Sequence, residues 1–131
     1  MLKGTSLVGT STSRDRVEND YYATQPSSVE DLLLKENVHG RVLEPCVGGC
    51  HIADVLKTVA DRVDCTDLVD RGYDGTVVLD FLEQNVSPIY DWVVTNPPYK
   101  LAQDFIEQSL RATKDGGHVA MFLKIQFLEG N

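Results

Sequence analysis

The chain has 131 residues, 42% of them hydrophobic, and 12 Lys and Arg against 20 Asp and Glu give a net charge of −8. That is the make-up of one ordinary globular domain with no room for a second. No apolar run approaches the roughly 20 residues of a membrane span, residues 1–20 lack the apolar core of a signal peptide, and three cysteines (Cys46, Cys50, Cys65) are an odd number, so a cytoplasmic protein with reduced thiols is expected.

Residues 1–20, rich in Gly, Ser, Thr and charge, read as a flexible arm, and the folded core is expected over 21–131. Ser27 with Glu30 three positions on fits a capping box, and Val29, Leu32, Leu33 and Leu34 supply an apolar face, which predicts a short helix up to about Glu36. Arg41 to Glu44 is a strand stopped by Pro45 and the Gly48-Gly49 pair, and Ile52, Ala53, Val55, Leu56 and Val59 mark a second helix. Val63–Asp67 and Thr76–Asp80 read as two further strands, each ending in aspartate. Asp91–Thr95 is a fourth, cut off by Pro97 and Pro98, which cannot continue a ladder. A helix from about Leu101 to Ala112 is expected to pack through Leu101, Phe105, Ile106 and Leu110. After a turn at Gly116-Gly117, a fifth strand runs from His118 to Leu123.

Strands alternating with helices at these intervals predict a doubly wound, mostly parallel α/β sheet of five strands. Ligands of such sheets bind at the carboxyl ends of the strands, near the switch in strand order. Glu44, Asp67, Asp80 and Asn96 all fall at predicted strand ends, so four polar groups are expected to meet in one crevice.

The strongest chemical signal is Asn96-Pro97-Pro98-Tyr99 directly after an apolar strand. An exocyclic amine on a base, or a carboxamide nitrogen, is a poor nucleophile because its lone pair is delocalised into the adjoining π system. Two carbonyl acceptors, the Asn96 side chain and the Pro97 backbone, would take its two hydrogens and favour a pyramidal nitrogen. The prolines hold these acceptors rigid, and Tyr99 offers a face on which a planar group stacks. Glu44-Pro45-Cys46-Val47-Gly48-Gly49-Cys50 is a glycine loop without the spacing of a dinucleotide fingerprint and without the Lys and Ser/Thr of a P-loop, so a phosphate ligand is not implied. Asp67, 23 positions beyond Glu44, suits ribose hydroxyls. Asp80 with Phe81 suits an adenine, by an amino contact and ring packing. The cofactor these residues imply is a nucleoside without phosphates. A zinc site at Cys46, Cys50 and His51 is not expected.

This set resembles the amino-group methyltransferases, and most closely the phage-type N6-adenine DNA methyltransferases. Tyr22-Ala23-Thr24-Gln25-Pro26 is similar to their N-terminal cofactor motif, with Ala23 and Gln25 departing from its usual Tyr-Pro-Thr-Pro-Pro, and Glu44-Pro45-x-x-Gly48 is similar to their glycine loop, with Cys50 where a second glycine is common. The resemblance covers about residues 20–130. It implies a Rossmann-like class I methyltransferase core with five strands in the order 3-2-1-4-5, and S-adenosyl-L-methionine as cofactor, held by Tyr22, Thr24, Glu44, Pro45, Gly48, Gly49, Asp67, Leu68, Asp80, Phe81 and Asn96. It also implies a catalytic set of Asn96, Pro97, Pro98 and Tyr99 acting on an adenine flipped out of DNA. The 48 positions between Gly48 and Asn96 leave no space for a target-recognition insert. Measured against that family the C-terminal strand hairpin is missing, so the core is expected to be incomplete. The strand at Val119–Leu123 would then be an apolar edge, covered by a second copy or another partner. Residues 46–90 carry eight acidic and three basic side chains, so a basic surface for DNA is expected from elsewhere. Two alternatives stand beside this one. One is a glutamine amide methyltransferase acting on a protein, which also uses Asn-Pro-Pro-Tyr. The other is a fragment that holds the cofactor without turnover.

Overall fold

A computed structural model describes residues 26–46, 48 and 51–123. Helix α1 spans Pro26–Lys35, strand β1 Arg41–Glu44, helix α2 His51–Leu56, β2 Arg62–Asp67, β3 Thr76–Val78, β4 Tyr90–Thr95, helix α3 Ala102–Ala112 and β5 Thr113–Met121. Short 3-10 turns at Phe81–Glu83 and Tyr99–Leu101 follow β3 and precede α3. All strands pair in parallel, as the alternation of elements predicts, and their order β3-β2-β1-β4-β5 is consistent with a Rossmann-like fold.

Period-two alternation along the central strands sends side chains to two cores. On one face Val42, Trp92 and Val94 pack with Val29 of α1 and Ile52 and Leu56 of α2. On the other, Leu43 and Val93 pack with Phe81 and with Phe105 and Ala112 of α3. The helices therefore cover opposite faces, and the chain leaves β1 and β4, which are neighbours, toward opposite sides. A crevice opens between such diverging connections at the carboxyl edge.

Several local expectations are corrected. Helix α1 begins at Pro26, where a missing N–H costs nothing, so Ser27 lies inside the first turn and does not cap it. Leu34 is 84% exposed and Leu110 60% exposed. In α3 the 3.6-residue period places Ala102, Phe105, Gln108, Ser109 and Ala112 inward and turns Leu110 to solvent. Helix α2 stops at Leu56, short of Val59, and β3 stops at Val78.

Strand β5 starts directly after α3, and Gly116-Gly117 lies within it. Tyr90 faces Thr113 and Trp92 faces His118, so the register slips by three residues across Lys114–Gly117 before regular pairing resumes to Met121. The slip is anchored at Asp91. Its carboxylate accepts from Lys114 Nζ at 2.8 Å and from the Arg41 amide at 2.8 Å, tying β5 and β1 to the start of β4.

Candidate functional site at the carboxyl ends of the strands

The glycine loop leaves β1 held by its neighbours on both sides. From β2, Thr66 Oγ1 donates to Pro45 O at 2.9 Å; from β4, Thr95 Oγ1 donates to Cys46 O at 3.5 Å. At Gly48 the backbone adopts φ +53, which glycine tolerates without strain, and its N–H donates to Asp67 Oδ2 at 2.8 Å. Asp67 is buried at the end of β2 and also accepts from Arg71 Nε at 3.3 Å and from Val69 N at 3.4 Å. The loop is thus pinned to the ribose-candidate aspartate. Leu68 follows it on the surface.

Asp80 is not the last residue of a strand. It caps the 3-10 turn Phe81–Glu83, its Oδ1 accepting from Leu82 N at 3.0 Å, and its half-buried position raises the carboxyl above the ordinary aspartate range. Phe81 is buried against Phe105, ring centroids 5.6 Å apart. This packing takes up part of the ring that adenine was expected to meet. The turn is fixed from behind by Gln108 of α3, whose Nε2 donates to Phe81 O at 3.1 Å and to Gln84 O at 2.6 Å.

Strand β4 ends at Thr95, and Asn96, Pro97 and Pro98 continue at the same edge, both prolines buried and Asn96 half-buried. Phe122 N donates to Thr95 O at 2.9 Å, which anchors the residue before Asn96, and Leu101 N donates to Pro98 O at 2.9 Å, which closes the turn carrying Tyr99. The segment therefore leaves the sheet through a rigid bend beside the glycine loop.

Glu44 is the chemically unusual member. It is wholly buried at the end of β1, and neither carboxylate oxygen has a hydrogen-bond partner among the described residues. Burial pushes its pKa well above the carboxylate range, and Asp67 nearby pushes in the same direction. The thiols respond alike: burial raises Cys65 to about 11, and burial with the adjacent carboxylates raises Cys46, so neither is a nucleophile at neutral pH.

The structure brings together Glu44, Pro45, Gly48, Asp67, Asp80, Phe81 and Asn96 to Tyr99 at one edge of the sheet. Tyr22, Thr24 and Gly49 lie outside the described residues. Sequence reasoning missed Thr66, Thr95, Arg71 and Gln108. The first two carried a usable signal, as hydroxyl residues at or beside the predicted ends of apolar strands; Gln108 carried none, because its partners are 24 and 27 positions away. A shallow groove of about 410 Å³ between α1 and α2 is lined by Leu33, Leu34 and Val55 and takes no part in this edge.

Three carboxyl groups, Glu44, Asp67 and Asp80, stand at this edge among the described residues. Compared with models of known protein families, with curated proteins and with solved structures, the chain matches none of them.

Proposed function

We propose that the protein is an S-adenosylmethionine-dependent methyltransferase that modifies an exocyclic amine, adenine N6 in DNA being the substrate its motifs favour. The observation that carries this reading is the position of Asn96-Pro97-Pro98-Tyr99 at the end of β4, beside the β1 glycine loop at the switch in strand order. S-adenosyl-L-methionine, when bound, supplies a methyl group already activated by its positively charged sulfur. Asp67, which fastens the Gly48 loop, would turn toward ribose hydroxyls only as that loop takes up the ligand, Asp80 would accept from the adenine amino group, and Gly48 would allow close backbone approach. Asn96 and Pro97 accept the two hydrogens of the target amine, keeping its lone pair free for in-line attack, and Tyr99 stacks on the flipped base. The net charge of −8 is the feature that favours a protein glutamine amide as substrate instead, and on either substrate the Asn96 role is the same.

Methyl transfer from labelled cofactor to adenine-containing DNA is expected, and Asn96→Ala is expected to remove it; transfer undiminished in that variant refutes the reading. Transfer only to a release-factor-like protein assigns the glutamine substrate, and cofactor binding without transfer to either assigns a binding fragment. Among the described residues β5 pairs on one side only, and self-association or a partner strand along this edge is part of the proposal; a monodisperse monomer in light scattering removes the first of these. No helix among the described residues is long and apolar enough to cross a membrane.

A further inference from the structure

The Phe81–Glu83 turn has little in its own backbone to hold it. It is a 3-10 turn of three residues, whose hydrogen bonds are poorly aligned, and the chain leaves the sheet after Leu79, whose N–H donates to Asp67 O at 2.9 Å. The Gln84 amide closes the turn on Phe81 O at a long 3.3 Å. The fastening comes from α3. Gln108 Nε2 donates to Phe81 O at 3.1 Å and to Gln84 O at 2.6 Å, so one side-chain amide holds the first residue of the turn and the residue that ends it. Its Oε1 accepts from Arg111 Nη1 at 3.3 Å, which fixes the way the amide faces. The other buried residues of α3 are small or apolar, Ala102, Phe105, Ser109 and Ala112, and an apolar side chain at 108 would pack among them without a desolvation penalty. Phe105, one turn earlier on the same face, meets the Phe81 ring.

The same helix is continuous with the Asn96–Tyr99 segment. The Ala102 N–H donates to Tyr99 O and the Leu101 N–H to Pro98 O, so the turn carrying Tyr99 runs directly into α3, and Gln108 stands about 9 Å farther along the axis. One helix therefore sets the spacing between the turn that carries Asp80 and the turn that carries Tyr99. We propose that Gln108 is a positioning residue for the cofactor, holding Asp80 where it receives the adenine amino group while α3 keeps that seat in register with Asn96–Tyr99. The inference rests on the reading of this edge as an S-adenosylmethionine site and deepens it by adding a residue that touches neither ligand. Gln108 acts through the turn alone. Without its two donors the carbonyls of Phe81 and Gln84 must turn toward water, and Asp80 moves with them because its Oδ1 is bound to Leu82 N of the same turn.

Isothermal titration calorimetry with S-adenosylhomocysteine and with S-inosylhomocysteine, which carries a carbonyl in place of the 6-amino group, tests the proposal at a temperature where circular dichroism shows each protein folded. Wild type is expected to prefer the adenosyl ligand by about tenfold, the worth of one placed hydrogen bond. Gln108→Leu is expected to bind the inosyl ligand as wild type does and to lose most of that preference, leaving about twofold. A purely structural role lowers the melting midpoint and leaves the preference of the folded protein unchanged. Gln108→His, which keeps one N–H for the turn, is expected to show an intermediate preference, and it stands in for Gln108→Leu should that variant fail to fold. A wild-type preference in the folded variant, or an equal loss of affinity for both ligands, overturns this inference alone. Wild type that binds both ligands equally overturns the Asp80 contact and the inference with it, and wild type that binds neither, nor S-adenosylmethionine, overturns the cofactor reading as a whole.

Discussion

Replacing Asp67 by alanine tests whether the glycine loop is fastened to β2 as described. The carboxylate is 1% exposed and takes three donors: Gly48 N at 2.8 Å, Arg71 Nε at 3.3 Å and Val69 N at 3.4 Å. Its loss leaves the buried Gly48 amide unpaired, which costs about 1–3 kcal/mol. Arg71 keeps 22% of its side chain in solvent and recovers water, so its ion pair contributes about 0–1 kcal/mol. The long Val69 contact adds little. The sum is about 1–4 kcal/mol, and at about 4 °C per kcal/mol for a domain of this size the midpoint should fall by about 4–16 °C. Asp67→Asn retains a carbonyl oxygen for Gly48 and loses only the charge facing Arg71, so it should cost about 1 kcal/mol. Differential scanning calorimetry of the two variants reads this order directly. A midpoint for Asp67→Ala within about 2 °C of wild type, or equal losses in both, would refute the role given to the Gly48 contact.

Other parts of the framework make separate predictions. Gln108→Leu keeps the volume of a nearly buried residue but strands the carbonyls of Phe81 and Gln84; chemical denaturation should show a loss of about 1–3 kcal/mol. In Gly117→Ala the new methyl would lie 2.9 Å from the backbone oxygens of both Asp91 and Lys114, and because backbone cannot step aside as a side chain does, a destabilisation of about 1–3 kcal/mol in urea is expected. Asp64 titrates with a definite sign. Burial opposes its ionisation, but the Tyr90 hydroxyl at 2.6 Å, Arg62 and Arg41 outweigh it and hold its pKa below the ordinary value. Its contribution is therefore present above the unfolded aspartate pKa of about 3.9 and lost as pH falls through the folded value. Melting curves of Asp64→Asn should lie below wild type at pH 7 and converge with it in acid; parallel curves would count against the network. Spectrophotometric titration should also show the Tyr90 phenol, raised to about 12 by burial and Asp64, moving down in that variant.

Much of this protein was legible without coordinates. The βα alternation and the strand at Arg41–Glu44 follow from hydrophobic period and from Gly and Pro at the breaks, whereas the order of the sheet was expected from the family resemblance, since right-handed parallel crossovers allow more than one order. The gathering of Glu44, Asp67, Asp80 and Asn96 at one edge follows from the same topology, since parallel strands put all their carboxyl ends on one side. Local pattern also has a clear limit. Leu34 and Leu110 look like core residues because they are leucines in helices, yet a helix has one buried face, and which face that is depends on what it lies against.

The remaining decisions belong to tertiary structure because they involve residues far apart in the chain. Asp67 closes on Gly48 across 19 positions, and Gln108 on Phe81 across 27. The slip in β5 depends on Asp91 meeting Lys114 and Arg41 together. Glu44 is the clearest case. In the sequence it is one acid among twenty; only the packed sheet removes its water and so raises its proton affinity. Composition and period choose the architecture because each residue votes through its own solvation and backbone preference. Proton affinity, burial face and hydrogen-bond partner are properties of neighbours, and the neighbours are set by the fold.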